Sequence, residues 1–129
     1  MKPQIHTDEH RLNELTFAVN GCAMDVLNVV GYGFHEKIYE NAMAVALQKR
    51  KINFSQQMQF KLEYEEQEIG VFIPDLVVED KIIVELKTID KIGNNEKGKV
   101  LNYLKATNLK LGLIINFKNP KLEWQRVIR

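Results

Sequence analysis

Asp75, Glu85 and Lys87 are the residues of this 129-residue chain whose types and spacing best suit chemistry. They stand in Ile73-Pro74-Asp75-Leu76-Val77-Val78-Glu79-Asp80-Lys81-Ile82-Ile83-Val84-Glu85-Leu86-Lys87, two aliphatic runs separated by a polar turn. Side chains of a strand alternate faces, so Glu85 and Lys87 share one face while Val84 and Leu86 take the other. A connection made of Glu79, Asp80 and Lys81 pairs Val78 with Ile82 and sets Asp75 opposite Glu85; a two-residue connection breaks this register. Two carboxylates that close, flanked by Val and Ile, repel each other, and partial burial adds to the cost of ionising both. A hard divalent cation removes the conflict. Mg²⁺ is typically held by one or two carboxylates and several waters, and it polarises phosphoryl oxygens and activates water. Lys87 could then orient the attacking water or stabilise charge on the phosphate. An isolated Glu-x-Lys is ordinarily a surface salt bridge; the Pro-Asp across the hairpin is what raises this one above that reading.

The elements that must position these residues are legible from periodicity. From about Asp8 to Val30, residues Leu12, Leu15, Val19, Ala23, Val26 and Val30 recur at intervals of three and four, as one buried helix face requires, with Thr7 or Asp8 as the cap. Gly31-Tyr32-Gly33 stops this helix. A second helix is expected from about His35 to Lys51, with Ile38, Ala42, Val45 and Ala46 as its apolar stripe. Strands are expected over Gln57–Tyr64, Ile69–Val78 and Lys81–Thr88, then a helix from about Glu96 to Thr107 burying Val100, Leu101 and Leu104. Leu111–Phe117 is an apolar run suited to the middle of a sheet, and Leu122–Ile128 to a final edge strand. This order implies an α/β or α+β fold with a central sheet covered by helices.

Composition sets the outer bounds. With 18 Lys+Arg against 17 Asp+Glu the net charge is +1, and 45% hydrophobic with 27% charged residues is the balance of a globular domain. Total charge therefore gives no argument for or against nucleic acid, which a local basic face would contact. Residues 1–129 show no repeat or linker and are expected to form a single domain. No apolar stretch suits a signal or a membrane span, and Cys22 stands alone, so the expectation is a cytoplasmic protein with no membrane partner and no disulfide.

Pro74-Asp75 followed by Glu85-Leu86-Lys87 resembles the PD-(D/E)xK signature of the restriction-endonuclease-like nucleases. Gly33-Phe34-His35-Glu36-Lys37-Ile38-Tyr39 is similar to the pattern that names the GxxExxY branch of that superfamily. Leu101-Asn102-Tyr103-Leu104-Lys105-Ala106-Thr107, Gly112-Leu113-Ile114-Ile115-Asn116-Phe117 and Leu122-Glu123-Trp124 also resemble that family, so the likeness covers nearly all of the chain from about Leu15. The resemblance implies a restriction-endonuclease-like mixed sheet flanked by helices and a metal-dependent nuclease, acting on DNA with Mg²⁺ or Mn²⁺. It implies Asp75 and Glu85 as metal ligands, joined by the Leu86 backbone carbonyl and by Glu36, with Lys87 beside the attacking water. The bland account of Glu36 is a charge favoured by the helix dipole.

The chain departs from the family at one place. Where that family often carries Gln, and His three residues earlier, this chain has Lys99 and Glu96. Lys99 could replace the Gln as a phosphate contact, whereas Glu96 has no such role. The alternative function is accordingly a catalytically inactive nucleic-acid-binding or assembly module that keeps the nuclease fold. Basic residues prevail from Lys97 to Arg129, where Glu123 is the single acid, and Tyr103 or Trp124 could stack on a base. A domain this small often grips a duplex as a homodimer. His6 and His10 read as solvated side chains rather than a zinc site, and Cys22 as a buried structural thiol.

Overall fold

Strand β5 (Ile82–Lys87) forms the middle of a five-stranded sheet, and five of its six residues are buried, as β-branched and aliphatic runs covered on both faces must be. The structure is a computed structural model that describes residues 3–129, with side chains from Glu9 onward. In chain order the remaining elements are α1 (Pro3–Val30), α2 (Glu36–Lys49), β1 (Phe54–Gln56), β2 (Phe60–Tyr64), β3 (Gln67–Phe72), β4 (Leu76–Val78), α3 (Asn94–Thr107), β6 (Leu111–Asn116) and β7 (Glu123–Ile128). The sheet order is β1-β4-β5-β6-β7; β5 runs parallel to β6 and every other pairing is antiparallel. The parallel pair needs a crossover, and α3 supplies it. Strands β2 and β3 form a separate two-stranded hairpin.

The alternation of β5 divides the core. Ile82, Val84 and Leu86 pack with Leu76, Val78, Leu111, Leu113 and Ile115 against α1 and α2, whereas Ile83 packs with Ile114, Val100 and Leu104 on the α3 side. The mixed sheet with helices on both faces is the architecture expected from the sequence. The hairpin register is also as expected, with Val78 paired to Ile82 and Leu76 to Val84. Glu79 and Asp80 turn the chain with φ of 55° and 53°.

Several local expectations are corrected. Helix α1 already runs from Pro3, so positions 7 and 8, Thr7 and Asp8, lie inside it and not at its start. The run Ile69–Val78 is two strands, because Pro74 has no N–H for a ladder and the chain crosses there from the hairpin to the main sheet. The short β1 precedes the strand expected at Gln57–Tyr64. Helix α2 buries Tyr39, Met43 and Leu47 in place of the expected stripe, leaving Ile38 and Val45 exposed. The helix is apolar on both stripes, and the larger set at four-residue spacing fills more of the space under the sheet. Tyr39 stacks on Phe117 with ring centroids 4.2 Å apart, and its hydroxyl donates to the Gly31 carbonyl (2.7 Å) and accepts from the Phe34 N–H (3.1 Å). Gly31 and Gly33 take φ of 90° and 85°, so this turn needs their freedom.

Cys22 is fully buried in α1, and burial pushes its thiol up. His10 pairs with Glu14 on the surface; the side chain of His6 lies outside the described residues. Among the described residues no helix is long and apolar enough to cross a membrane.

Candidate active site

Continuing the β4–β5 register by one step beyond Leu76–Val84 sets Asp75 across from Glu85. The Asp75 Oδ2 accepts the Leu86 N–H at 2.8 Å, which turns the aspartate towards the edge of β5. A strand residue presents its N–H and C=O on the same edge, so the Leu86 carbonyl faces this side as well. Glu85 continues the α3-facing row of Ile83 and is 9% exposed. Burial is the first cause that raises its carboxyl, from an ordinary 4.5 to about 8; the Asp75 charge and a proton shared with Asp75 add to it, and Lys87 offsets part. Asp75 is raised too, chiefly by burial, against the Leu86 hydrogen bond and with further charge from Glu40 and Glu36. The two carboxyls therefore form an acidic pair, Glu85 buried and Asp75 half-buried, in which burial and mutual repulsion disfavour ionising both. This differs from a surface salt bridge: among the described residues Glu85 makes no ion pair with Lys87 within 4.0 Å.

Glu85, Lys87, Glu96, Lys99, Val100 and Tyr103 line one hollow of about 60 Å³ between β5 and α3. Lys99, expected from the resemblance at the place where that family often carries Gln, thus lines the same space as Glu85 and Lys87. Glu96 has a local occupation. Its Oε1 accepts the Gly93 N–H at 2.7 Å at the start of α3, a bond that lowers its carboxyl, with Lys87 and Lys99 adding to the effect. Tyr103 stacks on Phe72 at 3.7 Å, so the β2–β3 hairpin braces one wall.

Glu36 reaches the end of β5 from the other side of the sheet. It is the first residue of α2, after the His35 cap, and its Oε2 accepts the Thr88 N–H at 3.1 Å. The structure brings Asp75 and Glu85 together and places Glu36 one residue beyond Lys87; among the described residues no three His, Cys, Asp or Glu side chains gather as a metal-binding group. The donor chemistry nevertheless fits a hard cation. A buried and a half-buried carboxyl that disfavour each other's ionisation, next to a backbone carbonyl, offer the all-oxygen set that Mg²⁺ or Mn²⁺ takes.

Three residues of this region escaped the sequence reading. Asn116 is 1% exposed and sits beside Lys87 in the β5–β6 register. Its Oδ1 accepts the Ile89 N–H (3.0 Å) and its Nδ2 donates to the Ile89 carbonyl (2.7 Å) and to Glu123 (2.9 Å), which itself accepts the Ile92 N–H. The loop after Lys87 is held at Thr88, Ile89 and Ile92. A polar residue ending the apolar run Leu111–Ile115 was the available signal. Glu40 and Gln57 are the other two. Glu40 is a charge inside the stripe Tyr39-Met43-Leu47, recognisable only once that stripe is known to be buried.

Comparison with known proteins bears on the family and the fold. The sequence model of the PD-(D/E)XK nuclease superfamily matches residues 13–127. A crystal structure of the protein SSO0001 superposes with a TM-score of 0.58 at 14% identity, over 98% of this chain. This chain spans 63% of the length of that one, and the likeness is one of fold. No curated protein matches the sequence.

Proposed function

This chain belongs to the PD-(D/E)XK nuclease superfamily, and from that premise we propose that it is a metal-dependent nuclease that hydrolyses phosphodiester bonds, with DNA as its substrate. The observation that carries the reading is the buried Glu85, set opposite Asp75 by the β4–β5 register, lining a hollow shared with Lys87 and Lys99. In this proposal Asp75, Glu85 and the Leu86 carbonyl hold Mg²⁺ or Mn²⁺, with Glu36 contributing from α2. The bound ion would supply Lewis-acid stabilisation of the phosphate and acidify a water. Lys87, on the Glu85 face of β5, orients the water for in-line attack, and Lys99 contacts a neighbouring phosphate oxygen. A cation held there would favour the ionised form of both carboxyls.

The finer assignment to the GxxExxY branch rests on Gly33, Glu36 and Tyr39, all of which shape the α1–α2 turn or the end of β5. Residues 1–129 act as one domain in this proposal, with a second copy sharing a duplex. The buried lone Cys22 supports a reducing cytoplasm as the setting. A second reading is the catalytically inactive nucleic-acid-binding or assembly module, favoured by Glu96, whose carboxylate beside Lys87 and Lys99 would meet an incoming phosphate.

The test is cleavage of labelled single- and double-stranded DNA and RNA with Mg²⁺ or Mn²⁺ by the wild type, Asp75→Ala and Lys87→Ala. Cleavage of DNA that both variants lose is the expected result. A wild type that cleaves nothing and gains no thermal stability from Mn²⁺ would transfer the assignment to the non-catalytic module.

A further inference from the structure

We propose that Glu40 is a positioning residue for this site, which holds Gln57 so that the backbone of Asp75 is fixed; the inference rests on the reading of Asp75 as a metal ligand. Glu40 is 3% exposed and accepts three hydrogen bonds. The Gln56 Nε2 (2.8 Å) and the Lys37 Nζ (3.1 Å) donate to its Oε2, and the Gln57 Nε2 (2.9 Å) donates to its Oε1. A carboxylate among Tyr39, Met43 and Leu47 is expensive to bury even when satisfied, and an aliphatic side chain there would serve packing alone at least as well. Its partners indicate what it does instead. Both glutamines lie where β1 ends, so Glu40 ties helix α2 to that end of the edge strand.

Gln57 is held in an uncommon conformation. Its φ is 57°, the left-handed region that side chains other than Gly visit rarely. From there its N–H donates to the Asp75 carbonyl at 3.3 Å, one step beyond the last β1–β4 pair, Gln56–Leu76. Asp75 is thereby gripped at both ends: Leu86 holds its carboxylate and Gln57 its carbonyl. Without the Glu40 tether Gln57 is free to relax to negative φ, and the Asp75 carbonyl loses its donor. Glu40 touches none of the reacting atoms in this account; it acts through Gln57 on the placement of Asp75.

The test uses the full chain in two measurements, Mn²⁺ affinity by titration calorimetry and backbone amide exchange by NMR without metal. Glu40→Leu and Glu40→Gln should lose protection at the Gln57 amide and bind Mn²⁺ roughly tenfold or more weakly, the range that follows loss of residues supporting a metal ligand. Adding Gln57→Gly to either variant should restore much of the affinity, because Gly takes the positive φ without a tether, an outcome that loss of packing at Glu40 cannot produce. Should Glu40→Leu fail to fold, Gln57→Leu against Gln57→Gly makes the same comparison with Glu40 in place, and the leucine variant should bind more weakly. Wild-type affinity in both Glu40 variants, or no recovery when Gln57→Gly is added to them, overturns the proposal. A wild type that binds no Mn²⁺ refutes the metal reading instead; the Gln57 amide then decides for Glu40, with protection retained in Glu40→Gln counting against it.

Discussion

Replacing Glu85 by Gln should stabilise the metal-free protein at neutral pH and remove a pH dependence that the wild type carries. In the fold the Glu85 carboxyl is raised from 4.5 to about 8 by burial and by Asp75. Between these values the folded state binds more protons than the unfolded one, so stability is full below about pH 4.5 and declines as pH rises through 8. The slope for one group is about 1.4 kcal/mol per pH unit. Over the 2.5 units between 4.5 and pH 7 the loss is about 3 kcal/mol, a large fraction of the stability of a domain this size. Gln keeps the shape and carries no charge, so it escapes this loss. Urea unfolding in EDTA, every half unit from pH 5 to 8, measures the difference. From pH 5 to 8 the wild-type curve should fall relative to Glu85→Gln by about 3–4 kcal/mol, and saturating Mn²⁺ should lift the wild type alone. Two parallel pH profiles would refute the reasoning, because they would mean that Glu85 ionises in the fold as easily as in the unfolded chain.

Other regions make separate predictions. A Cβ at Gly112 would meet Val100 Cγ1 at 2.5 Å, so Gly112→Ala should cost about 1–3 kcal/mol by crowding β6 against α3. Val100→Ala should relieve it in a double-mutant cycle, and strict additivity would show that the contact is not the cause. Tyr39→Phe keeps the stack on Phe117 but strips a donor from the Gly31 carbonyl and an acceptor from the Phe34 N–H. A loss of about 1–2 kcal/mol in urea unfolding is expected, and an unchanged midpoint would exclude a role for the hydroxyl in holding the α1–α2 turn.

How far the sequence could be read depended on the length of each pattern. The β4–β5 hairpin was legible because two aliphatic runs flank Glu79-Asp80-Lys81 and one register puts Asp75 opposite Glu85. The break at Ile73-Pro74-Asp75 was not read, although Pro74 was its signal, because the apolar alternation continues across it. Strand β1 has three residues, too few for any periodicity to register. Helix α2 misled for the opposite reason, an excess of apolar positions that gave two possible stripes. At the site, Asp75, Glu85 and Lys87 could be found because one strand and one turn place them. The hydrogen bonds of Glu40 to Gln57, and of Asn116 to Ile89, join residues 17 and 27 positions apart. Only the assembled sheet brings such pairs together, and no local pattern encodes them.

The energetics of β5 favour function over structure for its carboxylate. Positions 82, 83, 84 and 86 are aliphatic and at most 1% exposed, and position 85 is nearly as buried, in the row that Ile83 begins against α3. An aliphatic residue there would extend that packing, and it would end the repulsion with Asp75. A structural account of Glu85 as an ion-pair partner would require a cation that holds its carboxyl ionised, yet Lys87 offsets only part of the upward shift. The loop that follows is, by contrast, fully anchored, with Thr88, Ile89 and Ile92 each given a side-chain acceptor. A buried carboxyl that resists ionisation on the central strand, with the exit loop held at three points, is an arrangement that suits a cation site and that packing alone would remove.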